Sequence, residues 1–168
     1  MAKVLNFADF KGGIKMSEIT VFDVAKAFLY IEPMSHKKLQ KLCYYAQAWY
    51  LALYDVALFN QKFAAWIHGP VCPQLYDKYR ESGWQNIDKG NEVPEVIMRD
   101  ERIFSHINEI YRIYGGLSGD QLEYLTHSEL PWREARAGLK EYEPSTTFIN
   151  EDIIKNFYRE EFRRSQND

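Results

Sequence analysis

Cysteine is nearly missing from this chain: two in 168 residues, Cys43 and Cys72, with no CxxC pair between them. That excludes a disulfide framework and fits a reducing cytoplasm, which is the expected location. No run of about 18 apolar residues occurs, so no membrane-spanning helix is expected. No basic stretch followed by an apolar segment and a cleavage site is present either, so no secretory leader is expected. An excess of basic charge is also missing. Lys and Arg number 21 against 24 Asp and Glu, a net charge of −3, and no global field advertises nucleic acid.

Catalytic signatures are equally scarce. No GxSxG elbow occurs. The fragment VLNFADFKGGIK has the outline of a strand entering a phosphate loop, but Lys15 is followed by Met16 where such a loop needs Ser or Thr. His68 and Cys72 are bracketed by Pro70 and Pro73, so they cannot share a helical face as zinc ligands do. A metal site from Cys43, His68, Cys72 and His127 would need tertiary contact and has no spacing signature, and both thiols read as small core hydrophobes. His127, Ser128 and Glu129 are neighbours in the text, yet neighbours on a helix point in different directions. No catalytic residue, metal or cofactor is expected.

What is present is aromatic. Twelve Tyr, ten Phe and four Trp make 15% of the chain, and Tyr and Trp suit surfaces that are apolar on one side and wet on the other. The clearest periodic segment is HKKLQKLCYYAQAWYLALY, capped by Ser35, with Leu39, Leu42, Cys43, Ala46, Trp49, Tyr50 and Leu53 on one stripe. Lys37, Lys38 and Lys41 stand off that stripe as a basic outer face, with Tyr44 near its edge. Before it, Thr20 and Asp23 form a capping pair for a helix that Pro33 ends. After it, residues 61–67 read as a strand, Gly69-Pro70 as a break, and Pro73 as the first turn of a helix closed by Gly83.

Residues 84–99 look irregular. Asp100 caps a helix carrying Ile103, Ile107, Ile110, Tyr111 and Tyr114. Ser118 and Gln121 make a capping box, and Pro131 opens a brief helix ended by Gly138. Thr146 to Ile149 reads as a second strand, and Asn150 caps a last helix with Ile153, Ile154, Phe157 and Phe162 inward. The expected fold is mainly α: a compact domain of about six helices with a small two-stranded β element. Residues 1–15 form an extension, 16–164 the domain and 165–168 a frayed tail.

Three stretches together resemble the Panacea domain family, which includes GepA-like phage-associated proteins and SocA-like antitoxins. They are Lys38–Phe59 (KLQKLCYYAQAWYLALYDVALF), Ala64–Arg80 (AAWIHGPVCPQLYDKYR, with Trp66, Gly69, Pro70, Val71, Pro73 and Tyr76) and Leu125–Ala135 (LTHSELPWREA, with Pro131 and Trp132). The likeness spans roughly residues 17–160. Cys72 departs from it, standing where the family prefers a branched apolar residue. Leu39, Leu42, Trp49, Trp66, Gly69, Pro70, Pro73, Tyr76, Pro131 and Trp132 are read as scaffold.

The resemblance implies an antitoxin that neutralises a toxin encoded nearby by direct contact, or by delivering it to a protease. Surface chemistry nominates Lys37, Lys38, Lys41, Tyr44, Tyr45 and His68 as the partner-binding residues. The runner-up is a nucleic-acid-binding regulator, since two short helices near 118–137 have the spacing of a helix-turn-helix, although PWREARAGLKEYE offers few basic residues on one face. A metal-dependent enzyme stands third.

Overall fold

The computed structural model describes residues 18–168; the expected extension 1–15 lies outside the described residues. Helix α1 (Val21–Ile31) starts at Thr20, whose hydroxyl accepts from Asp23 N while the Asp23 carboxylate accepts from Thr20 N at 2.9 Å. That reciprocal box satisfies two of the amides a helix start leaves orphaned. A two-residue strand β1 (Met34–Ser35) leads into α2 (His36–Tyr54), which Ser35 caps through Lys38 N.

Helix α2 is the axis of the molecule. It packs against α1, α5 (Glu101–Tyr114), α6 (Gly119–Ser128), α8 (Glu151–Asn167) and strand β3 (Gly69–Val71). Leu39, Leu42, Cys43 and Ala46 are fully buried, as the stripe predicts, but so are residues on its other faces, including Lys41, Tyr44, Tyr45 and Gln47. An amphipathic reading misplaces these residues because a helix wrapped on every side has no solvent face. Leu53, expected inward, emerges in the last turn at 43% exposure.

Polar side chains on this buried helix tie down the loops around it. Gln47 donates to Phe59 O and accepts from Leu58 N, both at 2.7 Å. Gln40 does the same for Cys72, accepting from its N at 2.8 Å and donating to its O at 3.2 Å. Each amide thus takes the place of a β-strand neighbour for a backbone that would otherwise be buried unpaired.

Strand β2 (Ala64–Trp66) pairs antiparallel with β3 through the turn Ile67-His68, giving the expected two-stranded element. Its second strand is the Gly69-Pro70 segment read as a break, because a Pro at a strand edge needs no donor. The stretch read as the second strand, 146–149, contributes one bridge, Phe148 to Ala64, and two backbone hydrogen bonds to the outer edge of β2. A further pair forms between β1 and β4 (Asn86–Ile87), inside the segment expected to be irregular.

The remaining helices are α3 (Pro73–Tyr79), continued by a 3-10 turn Arg80–Ser82, α4 (Glu95–Met98) and α7 (Leu130–Ala135). Eight α-helices occur among the described residues against about six expected, the excess being short pieces such as α4. The Ser118–Gln121 capping box forms as read. In α8 the buried face runs through Ile154 and Tyr158, while Phe162 is 44% exposed. The expected frayed tail is helical to Asn167, with Arg163 and Arg164 paired one turn back to Glu160 and Glu161.

Candidate binding pocket

Of the six partner-binding candidates, the fold leaves His68 exposed, Lys37 and Lys38 half-buried and the other three buried. Lys41, Tyr44 and Tyr45 are each at most 1% exposed. Lys38 bonds Glu32 at 2.7 Å and the Gly115 carbonyl at 2.6 Å. Lys37 bridges to α6, 2.8 Å from Asp120 and 3.0 Å from Glu123. The basic outer face is therefore engaged by neighbouring elements, Lys37 by α6 and Lys38 by Glu32 and Gly115. Tyr44 and Tyr45 fail as surface residues because α8 covers that side of α2.

A cavity of about 630 Å³ opens where α2 and α6 begin and the β2–β3 hairpin meets α3. Its lining includes His36, Lys37, Gln40 and Lys41 from α2, Trp66, His68 and Val71 from the hairpin, and Tyr76, Arg80 and Trp84 from α3 and its extension. Trp66 and Tyr76, read as scaffold, instead form the pocket wall: Tyr76 is 39% exposed and meets Trp66 edge-on at 5.0 Å. His36 stacks on Tyr76 at 5.3 Å. Trp84, at 95% exposure, stands on the rim with no core role. The sequence held a cue for it, a large ring between Gly83 and polar residues where no periodicity asks for one.

At the pocket floor Gly69 makes room for Lys41. Gly69 has φ +107°, and a Cβ placed there would lie 2.6 Å from Lys41 Cε and 3.0 Å from Thr126 Oγ1. Lys41 Nζ donates to the Pro70 carbonyl at 3.3 Å. Burial pushes its pKa down to about 7, opposed by the nearby charge of Glu123. Burial, with Lys41 beside it, likewise drops His36 to about 4, so its ring is neutral at neutral pH. Glu123 Oε1 lies 3.0 Å from both Lys37 Nζ and His68 Nδ1, close contacts without hydrogen-bond alignment.

Behind the pocket, the predicted structural block around Trp132 does serve as scaffold. Trp132 is buried, donates Nε1 to Trp66 O at 2.8 Å, and stacks on His127 at 3.8 Å. His127 Nε2 is buried with no hydrogen-bond partner among the described residues, and burial holds its pKa below the usual value. Buried Arg136 donates to Ala65 O at 2.9 Å and to Glu143 O at 2.6 Å, binding the 140–143 loop to the hairpin.

A second polar cluster lies between α2, α7 and α8. Glu129 Oε1 accepts from Tyr45 at 2.6 Å and from Tyr158 at 3.0 Å, and the Tyr44 hydroxyl lies 3.4 Å from that of Tyr158. Burial raises the Glu129 pKa to about 7 despite those two bonds. Tyr45 stacks on Tyr114 at 4.0 Å, whose hydroxyl accepts from Trp49 Nε1 at 2.8 Å. Much of the aromatic content is thus hydrogen-bonded core rather than surface.

Burial raises the pKa of both thiols, Cys43 well above its usual value, which keeps them protonated. Among the described residues no group of three or more His, Cys, Asp or Glu is placed to hold a metal. None of the described helices is long and apolar enough to cross a membrane. The pocket combines aromatic walls, a buried lysine at its floor and an exposed indole.

Comparison with known proteins agrees with the residues that build this arrangement. The model of the family described as "Antitoxin SocA-like, Panacea domain" matches residues 39–133, from the first turn of α2 through the hairpin to Arg133 in α7. Antitoxin SocA of Caulobacter vibrioides (strain NA1000 / CB15N) is 31% identical over 110 residues, covering 60% of this chain and 58% of that protein. The chain thus spans under two-thirds of the length of this relative. No solved structure matches. On the extent of the family match, this chain belongs to the Antitoxin SocA-like, Panacea domain family.

Proposed function

We infer that this chain is an antitoxin that acts by binding, gripping a cognate toxin protein at the aromatic pocket and blocking it, without chemistry of its own. The observation that carries the reading is the family match, which runs through every element lining the pocket except the segment before residue 39. The pocket adds independent support. An indole exposed to 95% beside half-exposed Tyr76 and Trp66 is the composition of a protein-binding hot spot. Against a nucleic-acid role, Lys37 and Lys38 at the start of α2 are paired with Asp120, Glu123 and Glu32 and Lys41 is buried, so that helix face offers no basic stripe to follow a phosphate backbone.

The test is expression of the reading frame adjacent to this chain's gene, alone and together with it. Growth arrest by the neighbour alone, relief on co-expression and co-purification of the two proteins are the expected results. A neighbour that is harmless alone and forms no complex with this chain would contradict the reading. Neutralisation that disappears when the host's energy-dependent proteases are deleted would replace blocking with delivery for degradation.

A further inference from the structure

We propose that the pocket between the starts of α2 and α6 binds a carboxylate carried on an apolar or aromatic body, with Lys41 as counter-ion at its floor. Lys41 is held unusually for a buried lysine. Its ammonium has three donors, yet it makes one hydrogen bond, to the Pro70 carbonyl, at 1% exposure. Among the described residues no carboxylate comes within ion-pair distance of it, and Glu123, the acid that acts on it from α6, is engaged by Lys37 and His68. Buried charges are ordinarily paired, since an uncompensated one is costly. A methionine would fill the same space without that cost. The space itself depends on Gly69, whose missing Cβ admits the Lys41 chain.

The surroundings define the ligand. In a chain of net charge −3, the pocket lining carries Lys37, Lys41 and Arg80 against Asp120 as its one acid. Lys37 is spent on Asp120 and Glu123, and both ends of the Gln40 amide are spent on Cys72. Arg80 stands on the exposed rim, 4.0 Å from Asp77. At the floor that leaves the Lys41 amine, whose charging burial disfavours and which a monoanion seated beside it would hold protonated. At the floor a single ammonium falls short of the several donors a phosphate requires. Above the floor, Trp66, Tyr76 and Trp84 face the opening, and a volume of about 630 Å³ accommodates a ring or a pair of side chains. The donor is a residue of the protein partner, an apolar side chain adjoining an acidic group. That last identification rests on the antitoxin reading; the chemistry of the pocket does not.

The experiment uses the purified full chain and small probes: N-acetyl-L-phenylalanine, its neutral analogue N-acetyl-L-phenylalaninamide, and inorganic phosphate, followed by tryptophan fluorescence and calorimetry. The acid is expected to bind about tenfold more tightly than the amide, the share one charge-assisted contact contributes. Lys41→Met should bring acid and amide to equal affinity. Trp84→Ala, on the surface, should weaken both probes while keeping their ratio. Equal binding of acid and amide by the unaltered chain would overturn the proposal, and so would a preference that survives Lys41→Met. Phosphate competing as well as the acid would also overturn it. The comparison of probes on the unaltered chain decides the matter even if Lys41→Met does not fold. Toxin neutralisation is scored separately by growth, so either reading can fail while the other stands.

Discussion

At the scale of single residues, the buried carboxyl of Glu129 gives the sharpest expectation. Its pKa near 7 in the fold exceeds the ordinary 4.5, so between those values the folded chain holds a proton that the unfolded chain releases. Stability from this group therefore falls as pH rises through that window and stays lower above it. Glu129→Gln removes the loss and keeps an acceptor for Tyr45 and Tyr158. Relative to the parent, the variant should gain about 2 kcal/mol on going from about pH 5 to about pH 8, read from denaturant midpoints. A difference between the two proteins that is independent of pH would show that Glu129 is not desolvated as described. Such a residue is hard to find in sequence. Glu129 stands between Ser128 and Leu130 with the look of a helix-end charge, and only Tyr45 and Tyr158, distant in the chain, make it a buried hub. Lys41 misled for a similar reason, being a lysine beside two other lysines that do reach acids.

The elements were more legible than their surroundings. Capping residues Thr20, Ser35, Asp100, Ser118 and Asn150 start their helices as the sequence predicts, since a cap depends on atoms a few residues away. The hairpin was half legible. Trp66 lies in a strand as expected, but Gly69-Pro70 pairs with it where a break was read. The turn Ile67-His68 uses no left-handed residue, and Gly69 supplies the positive φ that returns the chain to register. Gly69→Ala combines left-handed strain with a collision against Lys41 and Thr126, and should destabilise the protein by about 2–4 kcal/mol in urea unfolding. An unchanged midpoint would mean that the hairpin and Lys41 can shift apart at little cost. What periodicity does not report is how many neighbours cover a helix. The stripe on α2 marked its most apolar face correctly, and the packing of α6 and α8 on the other faces buried tyrosines that the stripe left outside.

For the whole molecule, the family blocks serve two tasks. Leu39, Leu42 and Trp132 hold the core, while Trp66 and Tyr76, with Trp84 beyond any motif, form one face of a pocket floored by Lys41. An aromatic, weakly charged recognition face on a fixed helical frame is suited to a partner that is itself a folded protein. The central claim is that the partner engages this face and no other. Amide hydrogen exchange on the free chain and on its complex with the neutralised toxin tests it directly. Added protection is predicted at the start of α2 (residues 36–41), the hairpin through Trp84 (66–84) and the start of α6 (119–120). Protection confined to the outer faces of α5 or α8, with the pocket amides unchanged, would contradict it.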